Sequence, residues 1–128
     1  LRDYEFDRVD RSDNIAADLD KAARLSNPRQ TLYLIHTPPA GLFDAGILTP
    51  GRRHIGSLAV AEFIRKNEPW LTIHGHSHEA VDRNGGRFQN RLGKSDVLSV
   101  GPGNDPTVLS FLLLDLATGS YERKRLTA

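Results

Sequence analysis

The sequence has 128 residues, with 17 basic side chains against 16 acidic ones and a formal charge of +1. That length suffices for one domain and not two, and so even a balance creates no field drawing the chain to nucleic acid or a membrane surface. With no cysteine present, disulfides and thiolate ligands are excluded, and any metal must be held by His, Asp, Glu or Asn.

The chain opens on Leu1 and contains no methionine. A piece cut from something longer, or a non-standard start codon, is the expectation. Leu1 to Asp10 alternates aromatic and charged residues, as an edge strand or the tail of an absent element would. Ser12 or Asp13 offers an N-cap, and Ile15, Leu19, Ala22 and Leu25 form a helical apolar stripe that Asn27-Pro28 ends. Thr31 to His36 reads as a buried strand with a histidine at its C-terminal end.

Thr37 to Arg53 contains three prolines and three glycines, a loop long enough to suggest function. Ser57 caps a second helix with Leu58, Ala61, Phe63 and Ile64 turned inward, and Pro69 closes it. Trp70 to His74 is a second buried strand, again ending in histidine. Ala80–Arg83 and Arg87–Asn90 flank Asn84-Gly85-Gly86, a hairpin signal. Strands are expected over 96–100, 107–115 and 120–126. The most apolar stretch, Val108 to Leu116, is broken by Ser110 and Asp115 and is too short for a bilayer. No signal-peptide pattern is present, so a cytoplasmic domain without a membrane partner is expected. Arg123-Lys124-Arg125 reads as a solvated strand tip.

Four of the five histidines lie at the two strand ends: His36, and the cluster His74-Gly75-His76-Ser77-His78. A helical crossover between those strands would place the histidines on one rim of a sheet, where open α/β sheets put their sites. Neutral imidazole suits borderline divalent ions such as manganese, iron, zinc or nickel. The glycine allows a sharp turn, and the i, i+2 spacing can send two imidazoles to neighbouring metal positions. His74 continues the strand and reads as a packing or ligand-supporting residue. His54 taken alone reads as an ordinary hydrogen-bonded histidine.

Ile35-His36-Thr37-Pro38-Pro39, the loop with Asp44, Gly51-Arg52-Arg53-His54-Ile55-Gly56-Ser57 and Ile73-His74-Gly75-His76-Ser77-His78-Glu79 together resemble the calcineurin-like metallophosphoesterases, especially their small prokaryotic members. Gly101-Pro102-Gly103-Asn104 resembles the Asn-Pro-Gly turn those proteins carry further on. The resemblance runs from about Thr31 to the C-terminus. It implies an α/β fold, the C-terminal half of a four-layer αββα sandwich, with a mixed sheet followed by an antiparallel meander. It further implies hydrolysis of phosphate mono- or diesters by a metal-activated hydroxide at two divalent ions. By the same resemblance His36 and His76 bind one ion and His78 the other. His74, His54, Arg53, Glu79 and Asn104 are candidates for contacting substrate or supporting the ligands. Arg53 and His54 read equally as solvated loop residues, Glu79 as a turn cap, and Asp44 and Asn104 as turn residues.

The family's earlier motifs, Asp-x-His, Gly-Asp-x-x-Asp/Asn and Gly-Asn-His-Asp/Glu, are missing. Asp3, Asp7, Asp10 and Asp13 lack their spacing and glycine context. Three imidazoles without a bridging carboxylate leave two close dications short of negative charge. Residues 1–128 are therefore expected to be a single partial domain, inactive without a missing N-terminal half that acts as its partner. The alternative is a non-catalytic metal-binding or regulatory module with a vestigial site. Cupin, metallo-β-lactamase and amidohydrolase patterns fit the histidine spacing less well. Nucleic acid is not indicated as a partner.

Overall fold

The computed structural model describes residues 14–44 and 55–127. Arg53 and His54 lie outside them, as do Ser12 and Asp13. The first helix, α1 (Ile15–Leu25), is capped by Asn14, whose Oδ1 accepts the Ala17 N–H at 3.0 Å, in place of the expected Ser12 or Asp13. Of its anticipated stripe Leu19 is buried, whereas Leu25, the last helical residue, is 88% exposed. A single turn of 3₁₀ helix, Pro28–Gln30, leads into β1 (Leu32–Ile35).

Helix α2 (Leu58–Asn67) is capped by Ser57, whose Oγ accepts from Val60 N at 3.3 Å. Its inward side chains are Val60, Ala61, Phe63 and Ile64, while Leu58, expected inside, is exposed. Glu68 ends it in the left-handed conformation, its N–H bonded to Ile64 O. Strand β2 (Leu71–His74) follows, then α3 (Ala80–Arg83). Ala80–Arg83 was expected to be a hairpin strand and is one helical turn, because the chain leaving the histidines winds back on itself before extending. The remaining strands are β3 (Gln89–Leu92), β4 (Ser95–Ser99), β5 (Val108–Asp115) and β6 (Ser120–Thr127).

These strands form two sheets. One is mixed, in the order β1-β2-β4-β3, with β1, β2 and β4 parallel and β3 antiparallel to β4; the other is the antiparallel pair β5-β6. The expected meander is thus interrupted: β4 pairs with β2, and β5 begins a separate sheet. The fold is accordingly α/β, with one mixed and one antiparallel sheet. Among the described residues no helix is long and apolar enough to cross a membrane.

The two faces of the mixed sheet differ. Tyr33 and Val97 meet Leu19 of α1 and Val60, Phe63 and Ile64 of α2 in one core cluster. Within it the Tyr33 and Phe63 rings pack edge to face at 5.1 Å. On the opposite face Leu34, Ile73 and Leu98 lie side by side in register. The hairpin β5-β6 lies against that face at β4, where Tyr121 Oη donates to Asp96 Oδ2 at 3.3 Å. Burial fades away from it: Leu98 is fully buried, Ile73 half-buried and Leu34 76% exposed.

Candidate metal centre

Three parallel strands end on one rim, and three turns leave it: His36–Pro39 after β1, Gly75–Glu79 after β2, and Val100–Asn104 after β4. The first two touch directly, since Gly75 N donates to His36 O at 3.1 Å. The loop beyond His36 is closed at its base, with Ser57 N donating to Pro38 O at 2.9 Å and Ala40 N to Ser57 O at 3.0 Å. Asp44 is a buried turn residue, its Oδ2 accepting from Gly41 N at 2.8 Å.

The sharp bend falls on His76 and not on Gly75. His76 has φ +62°, and Ser77 N donates to Gly75 O at 2.7 Å, closing a three-residue γ-turn with His76 at its apex. That conformation is rare and strained for a side-chain-bearing residue, and such strain is typically stored at working sites. Its effect is to swing the imidazole towards β1. His76 Nδ1 lies 3.2 Å from His36 Nε2, with the rings edge to face at 5.1 Å between centroids. Both rings are exposed.

Two nitrogens bound to one ion at about 2.0–2.1 Å, at right or tetrahedral angles, lie about 2.9–3.4 Å apart. The observed 3.2 Å falls inside that interval. Without an ion the same spacing suits a hydrogen bond in which one imidazole N–H donates to the other's lone pair. Among the described residues no group of three or more His, Asp or Glu side chains converges to hold a metal. The pair therefore fits two corners of a coordination shell, and His78, exposed, does not complete a third.

His74 plays a different part. Its ring is buried on the helix-covered side, 1% exposed. Nδ1 lies 3.0 Å from Ile35 O and 2.9 Å from Thr37 O, and Nε2 lies 2.9 Å from Thr72 Oγ1. Two carbonyls can only accept, so Nδ1 carries the proton and the Thr72 hydroxyl donates to Nε2. Burial lowers its pKa from 6.5 to about 4, the bonds to Thr37 and Ile35 opposing only in part. A neutral ring thus straps the exit of β1 to the end of β2, and so fixes the backbone that carries His36.

The third turn locks beneath the second. Gly103 N donates to His78 O at 2.9 Å, and Asn104 Nδ2 donates to Glu79 Oε1 at 2.5 Å. The Asn104 bond is the leading reason that the Glu79 carboxyl titrates below its ordinary range. Gly101 sits at φ +48° against buried Val81. Arg123, read from sequence as part of a solvated tip, is half-buried and donates from Nε to Val100 O at 2.7 Å and from Nη2 to Gly101 O at 2.5 Å. No local pattern around Arg123 signalled this role, because its partners are backbone carbonyls about twenty residues away. A cleft of about 320 Å³ lies at the opposite strand ends, lined by Arg29, Glu68, Trp70, Arg91, Lys94 and Asp96. Its charges are paired, Glu68 with Arg29 and Lys94 and Asp96 with Arg91, so the rim with its converging imidazoles is the better candidate for chemistry.

No family model and no curated protein matches the chain. Among solved structures, one crystal structure resembles it with a TM-score of 0.57 and 24% identity, over 82% of this chain and 36% of its own. A crystal structure of TT1561 of Thermus thermophilus aligns with a TM-score of 0.47 and 26% identity, over 81% of this chain and 38% of its own. The likeness to the first is one of fold. The chain spans little more than a third of either structure's length.

Proposed function

We propose that the chain is the C-terminal half of a calcineurin-like metallophosphoesterase, acting on phosphate mono- or diesters once an N-terminal half completes its site. The observation that carries this reading is the 3.2 Å approach of His36 Nε2 to His76 Nδ1 at the C-terminal ends of adjacent parallel strands. Two divalent ions, of manganese, iron, zinc or nickel, would supply Lewis acidity towards a phosphoryl oxygen there. His36 and His76 present lone pairs to one ion, and His78 is assigned to the second with ligands from the other half. His74 holds the His36 turn in place, while Asn104 and Glu79 brace the turn that carries His76 and His78.

The exposed end of the apolar row, at Leu34, supports a missing partner of this kind. Leu34 stands exposed beside Ile73 and Leu98, on a face that the hairpin β5-β6 covers only at β4. Among the described residues no strand pairs with the outer edge of β5, which carries no charge from Val108 to Leu114, whereas β6 carries the exposed charges Glu122, Lys124 and Arg125. Charges guard sheet edges against further pairing, so β5 is the edge left open. Strands added there would widen the second sheet, as a four-layer αββα sandwich requires.

A separately produced N-terminal half, bearing the three missing motifs, is expected to restore Mn²⁺-dependent cleavage of an aryl phosphate or phosphodiester when mixed with this chain. Leu34→Lys should leave the isolated chain's stability within about 0.5 kcal/mol, as an exposed substitution, yet weaken the reconstitution. A folded, metal-loaded complex of the halves that hydrolyses neither ester would overturn the proposal. The absence of a third convergent ligand among the described residues favours one other reading, a metal-binding module without catalysis. Metal binding with no activity in any such complex would select it.

A further inference from the structure

We propose that Arg123 is a positioning residue for the histidine turn, coupling the second sheet to the metal rim through the Val100–Asn104 turn. The inference rests on the phosphoesterase reading only for its consequence at the metal; the coupling itself stands on the hydrogen bonds.

Arg123 belongs to β6, in the antiparallel sheet, while the histidines leave the mixed sheet. Its guanidinium spans the gap, with Nε on Val100 O and Nη2 on Gly101 O, 2.7 and 2.5 Å, and Nη2 also 3.5 Å from Ser110 Oγ. Ser110 Oγ itself donates to Pro102 O at 3.4 Å. Carbonyls of three successive residues on the outer side of the turn are thus held by groups from the second sheet. The inner side of the same turn holds the histidine turn, through Gly103 N to His78 O and Asn104 Nδ2 to Glu79 Oε1. The two sets of bonds fall on immediately consecutive stretches of chain, 100–102 and 103–104. Gly101, pressed on Val81, removes the remaining slack: even a Cβ there would lie 2.3 Å from Val81 Cγ2.

Two successive carbonyls suit the planar fork of arginine, which directs separate N–H groups at each, whereas a lysine ammonium is a single point donor. Geometry, beyond charge, is therefore what the position requires. A second sheet completed by a partner would transmit its placement through Arg123 to the backbone of His78.

The test uses the metal-free chain, with amide hydrogen exchange and histidine side-chain NMR. In Arg123→Gln, Gly103 exchange should accelerate about tenfold or more through local opening, and the His78 resonances should move, while Ile73 and Leu98 amides keep their protection. Arg123→Lys should fall between Gln and wild type. A folded Arg123→Gln chain with wild-type Gly103 protection and wild-type His78 resonances overturns the inference. If Arg123→Gln does not fold, Arg123→Lys decides: behaviour identical to wild type at Gly103 and His78 overturns it, and partial loss confined to the rim supports it. Adding Mn²⁺ to wild type separates the two readings. If His36 and His76 signals fail to broaden, the metal-site reading falls, whereas the coupling through Arg123 is still judged on exchange alone.

Discussion

Replacing His74 by alanine is expected to destabilise the metal-free chain by about 3 kcal/mol, a large share of the stability of a small domain. The substitution removes a buried ring and leaves the Thr72 hydroxyl and the Ile35 and Thr37 carbonyls without their partner. The effect also depends on pH. An unfolded chain protonates this imidazole near its ordinary 6.5, the folded chain only near 4. The stability that the neutral ring contributes is complete above the unfolded value and is lost as the pH falls towards the folded one. The gap corresponds to ~3 kcal/mol at about 1.4 kcal/mol per pH unit. Urea denaturation of wild type and His74→Ala, at neutral pH and near pH 4, checks both statements. The wild type should lose the greater stability on acidification, bringing the two proteins closer together. Equal pH dependence in both would mean that His74 is not held neutral by the fold.

Gly101→Ala is the second large effect. At φ +48° a Cβ costs about 1 kcal/mol in backbone conformation alone. Here it would also lie 2.3 Å from Val81 Cγ2 and 2.6 Å from Val81 Cβ. Val81 is fully buried and cannot retreat, so the 100–104 turn must lift and the Gly103–His78 bond must stretch or break. A total of about 2–4 kcal/mol is expected, in the range of overpacked core sites. Gly119→Ala is the control, because φ is +69° there but nothing lies within 4 Å of the added atom. It should cost only the conformational ~1 kcal/mol. Denaturation midpoints of the two variants give the comparison, and equal losses would remove the steric argument for Gly101.

Features set by local interactions are legible in the sequence, and those set by distant partners are not. Helix α2 was legible because its determinants are local: Ser57 accepts an N–H three residues on, and Glu68-Pro69 ends the pattern. The two strand-end histidines were legible for the same reason, each following a short apolar run that stops at a turn. Leu58 was misjudged because periodicity alone cannot tell which side of the first turn faces the core. The supposed strand Ala80–Arg83 was misread because the glycine pair after it serves a helical turn as readily as a hairpin. The insertion of β4 beside β2 depends on pairing between segments about twenty-five residues apart, which no local pattern records. Arg123 belongs to the same class, a residue whose neighbours in sequence describe a solvated strand and whose neighbours in space are a rim turn. At the rim, the sequence anticipated that His36 and His76 lie at the ends of two strands of one sheet. It placed the turning point at Gly75, whereas His76 carries the positive φ.

The spacing of His36 and His76 carries the functional proposal, and metal binding by the isolated chain tests it most directly. Wild type, His36→Ala and His76→Ala would each be brought to equilibrium by dialysis against a fixed free concentration of Mn²⁺ or Zn²⁺ and analysed for bound metal. About one loosely held ion per wild-type chain is expected, as two ligands of an incomplete shell would give, with its loss in either variant. Two tightly held ions per chain, or binding that survives both substitutions, would contradict the proposal.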